Sequence, residues 1–178
     1  MQTTSPIANP FSTGMSSQPS IIFPTHYAPG TTSNFVSNET IAAGITAAQI
    51  WSLLADISKW ESYYKNCAQI TEPNEGPQLE KGRVFKFSTF GFPPLTCTVR
   101  ESAEPGKGKE GRLAWESQTP DGLEIYHAWL VQDLDNNRVR ILTQESQIGP
   151  VGIIFRLLYW LMVLTCAGLC RMVRPETQ

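Results

Sequence analysis

An α+β domain, with one antiparallel sheet packed on segregated helices, is the fold class this sequence predicts. Three observations predict it. Two capping-box patterns, Thr46–Gln49 and Ser58–Glu61, follow directly on a first strand-like segment. About six segments with period-two alternation come next, between residues 68 and 146. A long apolar stretch, 151–170, then closes the chain. Strands grouped between helices, rather than alternating with them, point to α+β and not to a parallel α/β sheet.

The leader, residues 1–33, is rich in Ser, Thr, Pro and Gly and has no sustained periodicity. It lacks the apolar surface needed to offset its ordering entropy, so a disordered leader is expected. Ile21-Ile22-Phe23 is its one patch able to dock on the domain, which spans 34–174. Asn34 to Ala42 reads as a strand, broken at Gly44. Thr46 then caps a helix whose Ile50, Leu53, Leu54 and Ile57 fall at the spacing of a buried stripe. Ser58 opens a second, short helix through Tyr63 and Tyr64. Trp51 and Trp60 read as core aromatics.

The strands follow. Ala68 to Glu72 is short. Arg83 to Phe90 sets Phe85, Phe87 and Thr89 on one face. Leu95 to Ser102 sets Leu95, Cys97, Val99 and Glu101 on one face, and Arg112 to Gln118 does the same for Leu113, Trp115 and Ser117. From Leu123 to Ser146 two strands flank Asp135-Asn136-Asn137, with Ile125, His127, Trp129, Val131, Val139, Ile141, Thr143 and Glu145 on the apolar face. A sheet of this size wrapped around one long helix leaves a cavity between them, the usual setting of a small-molecule site.

The segment IAAGITAAQIWSLLADISKWESYY, the meandering strands, HAWLVQ and RVRILTQESQIGP resemble the START-like (SRPBCC, helix-grip) superfamily, with the polyketide cyclase/dehydrase-like group most similar. The resemblance covers about residue 34 to the end. It implies a curved antiparallel sheet of about seven strands around a C-terminal helix at about 151–172, enclosing an apolar cavity. It further implies a hydrophobic ligand such as a polyketide, sterol or lipid. The superfamily has no universal catalytic residue to carry over.

Hairpin arithmetic places the chemistry. Inward residues must oppose inward residues, because a one-residue slip flips a strand's faces. A three-residue loop at Asp135–Asn137 pairs Leu134 with Arg138, and hence Trp129 with Thr143 and His127 with Glu145. The turn at Pro120-Asp121-Gly122 pairs Thr119 with Leu123, which sets His127 opposite Trp115. His127 is therefore expected between Trp115 and Glu145 on the concave face. A glutamate beside a histidine fixes the imidazole tautomer and raises its basicity. With His127 as base and Glu145 as its orienter, the pair suits enolisation, dehydration or aldol-type ring closure of a polyketide-like substrate. Trp115, Trp129, Phe85, Phe87 and Tyr64 would bind it, and Glu101, inward by parity, is a second acid. A structural, hydrogen-bonded histidine in a carrier of lipids or polyketides is the alternative.

Other classes are disfavoured. The net charge of −2 and scattered basic residues argue against nucleic acid. Cys67, Cys97, Cys166 and Cys170 show neither disulfide nor zinc spacing, so a reducing, cytoplasmic setting with no metal is expected. No phosphate loop or nucleophile elbow implies a cofactor or an esterase. Residues 151–170 carry one charge, Arg156, and are apolar all round. They have two readings, a helix gripped by the sheet or a membrane-attached tail. The oligomeric state is left open.

Overall fold

The computed structural model describes residues 18–149. Residues 1–17 of the leader, and the C-terminal helix expected at 151–172 in either of its readings, lie outside the described residues. Seven strands form one antiparallel sheet: β1 (Asn34–Ala43), β2 (Cys67–Thr71), β3 (Val84–Thr89), β4 (Leu95–Ala103), β5 (Gly111–Gln118), β6 (Glu124–Leu134) and β7 (Arg138–Ile148). Their spatial order is β1-β7-β6-β5-β4-β3-β2, so the first strand closes beside the last. Two short helices, α1 (Ala47–Leu54) and α2 (Trp60–Tyr63), join β1 to β2 and cover the concave face. Among the described residues no helix is long and apolar enough to cross a membrane.

The helix pair starts as the sequence predicts and continues differently. Thr46 and Gln49 form the full capping box, and Asp133 of β6 also accepts from the Ala47 amide at 2.7 Å. Helix α1 then stops at Leu54, and Ile57 belongs to a separate 3-10 turn, Ile57–Lys59. Asp56 is the cause. It bridges Gln78 in extended conformation, and its side chain accepts from the Ser58 amide and hydroxyl. Asp56, not Ser58, therefore starts the second helical segment. Trp51 rather than Leu53 completes the buried face of α1.

Both hairpins obey the parity argument. Leu134 pairs with Arg138, Trp129 with Thr143, His127 with Glu145 and Trp115 with His127. Asn136 and Asn137 take φ of 62° and 52°, the left-handed region that asparagine tolerates. Strand β4 departs from parity. Val99 pairs with Trp115, but Glu101 pairs with Ala114, so Arg100 is an extra residue in a bulge. The bulge reverses the faces of the rest of β4.

The two faces hold separate cores. The concave core gathers Ile50, Leu54, Trp60, Phe85, Trp115 and Ile141 among others. On the convex face Ile21 and Tyr27 of the leader pack with Ala114, Tyr126, Leu130 and Leu142. Residues 18–33 thus form a strap over the sheet, where a disordered leader was expected to reach residue 33. Its backbone is tied down by Arg140 to the Pro19 carbonyl (2.7 Å), Arg112 to the Ser20 carbonyl (3.0 Å) and Ser146 to the Tyr27 carbonyl (2.8 Å). Ile21 and Phe23, from the patch expected to dock, lie against it.

Candidate functional site

The concave face narrows to a cavity of about 40 Å³ among the described residues. Helix residues Leu54, Trp60, Tyr63 and Tyr64 form its roof, and Phe87, Cys97, Trp115, His127, Trp129 and Glu145 belong to its floor and walls. Such a volume holds roughly two or three waters, far less than a polyketide, so a larger ligand must displace side chains or the covering segment. Aromatic packing shapes it. Trp60 lies 5.3 Å from Phe87 and 5.5 Å from Trp115 between ring centroids, and Trp115 stacks on the His127 imidazole at 4.7 Å with planes 14° apart.

One polar chain crosses this apolar wall. His127 Nδ1 lies 2.8 Å from Glu145 Oε2. Its Nε2 lies 3.1 Å from Thr143 Oγ1. Gln147 Nε2 donates to the other Glu145 oxygen. A carboxylate only accepts, so Nδ1 carries a proton, and Nε2 pairs with the Thr143 hydroxyl, accepting from it when the imidazole is neutral. His127 is 6% exposed and Glu145 3%, so neither is held by water. Buried polar groups need such partners, and here every member of the chain has one, with only the Gln147 amide oxygen left over.

The remaining titratable groups in the lining stay protonated. Burial pushes the Cys97 thiol up to about 12 and outweighs its bond with Ser117, so it is no nucleophile near neutrality. Burial also raises Tyr63 and Tyr64. Tyr64 shares a 2.5 Å hydrogen bond with Thr89 at the edge of the cavity.

Comparison with solved structures follows this architecture. No protein-family model and no curated protein matches the chain. A hypothetical protein from Helicobacter pylori is 37% identical, covers 90% of this chain and 100% of its own, and superimposes with a TM-score of 0.82. The Zhui aromatase/cyclase from Streptomyces shares the fold at 14% identity, with 78% and 92% of the two chains covered and a TM-score of 0.61. An Aha1 protein from Colwellia psychrerythraea does so at 11% identity, 82% and 99% coverage and a TM-score of 0.60. At 37% identity over 90% of its length the chain belongs to one family with the Helicobacter pylori protein, and it shares its fold with the Zhui and Aha1 structures.

The expected site residues divide clearly. Trp115, Trp129, Phe87, Tyr64, His127 and Glu145 all meet at the cavity. Phe85 does not reach it; 1% exposed, it backs Phe87 and Trp115 from behind. Glu101 is a correction. The Arg100 bulge sets it opposite Ala114 on the convex side, beside Tyr126, so it cannot serve the cavity. Of the polar chain, sequence reasoning placed Thr143 on the inward face opposite Trp129 without giving it a role in the site, and it missed Gln147. Their signal was present: Thr143, Glu145 and Gln147 occupy three successive inward positions of β7, where a core strand would carry apolar residues. Among the described residues no cluster of His, Cys, Asp and Glu is suited to a metal ion.

Proposed function

We propose that this START-like domain binds a hydrophobic, polyketide-like molecule against the concave face and performs cyclase- or dehydratase-type proton transfer on it. The observation that carries the reading is the hydrogen-bonded His127–Glu145 pair in the wall of an otherwise apolar cavity. Such an environment strengthens the hydrogen bond within the pair and excludes water from it. Because Thr143 occupies His127 Nε2, the proton-accepting atom is assigned to Glu145, with His127 as its orienter, the reverse of the roles expected from sequence. The roof aromatics would fold the substrate over that carboxylate.

The test is conversion of a linear poly-β-ketone mimic by wild type and by Glu145→Gln. A loss of about 10²- to 10⁴-fold in turnover with ligand binding retained is expected. Unchanged turnover in a folded variant overturns the catalytic role.

A second reading, a non-catalytic carrier, is favoured by the same Thr143 bond and by the closed polar chain, which leaves no imidazole nitrogen free. Under it the bound molecule is recovered chemically unchanged from wild type and variant alike.

A further inference from the structure

We propose that the indole N–H of Trp129 is the anchor for a carbonyl oxygen of the bound molecule, which makes the ligand class a compact aromatic or alicyclic ketone. The proposal rests on the reading of the cavity as a small-molecule site and adds the functional group that the site recognises.

Trp129 is 4% exposed and lines the cavity, yet its Nε1 has no hydrogen-bond partner among the described residues. Three other buried side-chain atoms share that condition, on Asn38, Gln132 and Gln147. All three belong to carboxamides; those of Asn38 and Gln132 can exchange oxygen and nitrogen by a flip, while Gln147, fixed by its Nε2 bond to Glu145, leaves an acceptor and not a donor unpaired. An indole nitrogen has no such freedom; it is a donor and nothing else. The acceptors nearest in register bond elsewhere and do not reach it. Thr143, directly opposite Trp129 on β7, is bonded to His127 Nε2. The two Glu145 oxygens take His127 and Gln147.

The surroundings define what can satisfy this donor. The His127 ring is 5.6 Å from that of Trp129, and the rest of the lining is dominated by aromatic and aliphatic side chains. An anion would be poorly solvated beside Glu145. A neutral carbonyl supplies the acceptor without a charge, and its carbon frame suits the apolar walls. A ligand lacking that oxygen would leave the indole N–H unpaired, which is how buried polar groups generate selectivity.

The experiment uses the full chain with two matched probes, 1-tetralone, which has a ketone, and tetralin, which has a methylene in its place. Affinities are measured for wild type and for Trp129→Phe, which keeps an aromatic ring and removes the donor. The chain has five tryptophans, so its indole N–H resonances form a small set in a nitrogen–proton spectrum. The Trp129 signal is identified by its loss in the variant. The expected result is a wild-type preference for 1-tetralone that shrinks by about twofold to tenfold in Trp129→Phe, with tetralin binding retained. The Trp129 resonance should move downfield with 1-tetralone and not with tetralin. Both probes binding, with a tetralone-to-tetralin ratio unchanged in the variant, overturns the anchor and leaves the cavity reading standing. Equal weakening of both probes also overturns it, since Trp129 then acts by shape alone. Failure of both probes to bind wild type overturns the cavity reading, and the anchor falls with it.

Discussion

Removing the Glu145 carboxylate should destabilise the fold by several times what a surface carboxylate costs. The side chain is 3% exposed and accepts from two buried donors, His127 Nδ1 and Gln147 Nε2. In Glu145→Ala both donors lose their partner in an apolar wall. At about 1–3 kcal/mol for each of the two orphaned groups, the expected loss is about 2–6 kcal/mol, a large share of a typical domain's stability. Glu145→Gln keeps one acceptor oxygen and presents an N–H to the second donor, so it should lose roughly half as much. Urea unfolding followed by tryptophan fluorescence measures both, and a cycle with His127→Ala isolates the pair. A coupling between His127 and Glu145 above about 1 kcal/mol is expected for contacting residues. If Glu145→Ala lies within about 0.5 kcal/mol of wild type, the range of an ordinary surface substitution, the closed polar chain is not what holds this wall together.

Three further outcomes follow from single contacts. Burial raises the Cys97 thiol to about 12 from an ordinary 9.0, so the unfolded chain loses this proton first as pH rises. Its contribution is intact below about pH 9 and declines by about 1.4 kcal/mol per pH unit above it, toward about 12. Urea midpoints at pH 8 and pH 10 should show this decline, and Cys97→Ala should lessen it. Gly111→Ala places a methyl 2.8 Å from Pro105 Cδ and 3.0 Å from Trp51 Cε3. Neither ring can yield freely, so a thermal melt should report a loss of about 1–3 kcal/mol. Asp133→Ala removes the 2.7 Å acceptor of the Ala47 amide at the start of α1, and denaturant unfolding should register a cost of about 1 kcal/mol.

The legible part of this site was arithmetic. Turn chemistry at Asp135–Asn137 and Pro120–Gly122 sets the hairpin register, and register alone brings Trp115, His127 and Glu145 into one cross-strand row. No contact energy had to be known. The same arithmetic failed for Glu101, because one unpaired residue at Arg100 reverses every later face of β4. Arg100-Glu101-Ser102 carries no glycine or other local mark of a bulge. Asp56 was overlooked for a related reason. Its competence to cap depends on an extended bridge to Gln78, 22 positions away in the chain.

The sequence by itself therefore determined the strand faces apart from the end of β4, the hairpin registers, the first helix cap and the meeting of His127 with Glu145, all of which depend on neighbours within about two dozen residues. Tertiary structure decided what depends on distant segments: the strap of residues 18–33 over the convex face, the tightness of the cavity under α1 and α2, and the engagement of both His127 ring nitrogens. The physical reason is that alternation fixes only which side of a sheet a residue faces. Which atoms meet there, and whether a hydrogen-bonding group is left over, depends on packing from elements remote in the chain. At Trp129 one group is left over.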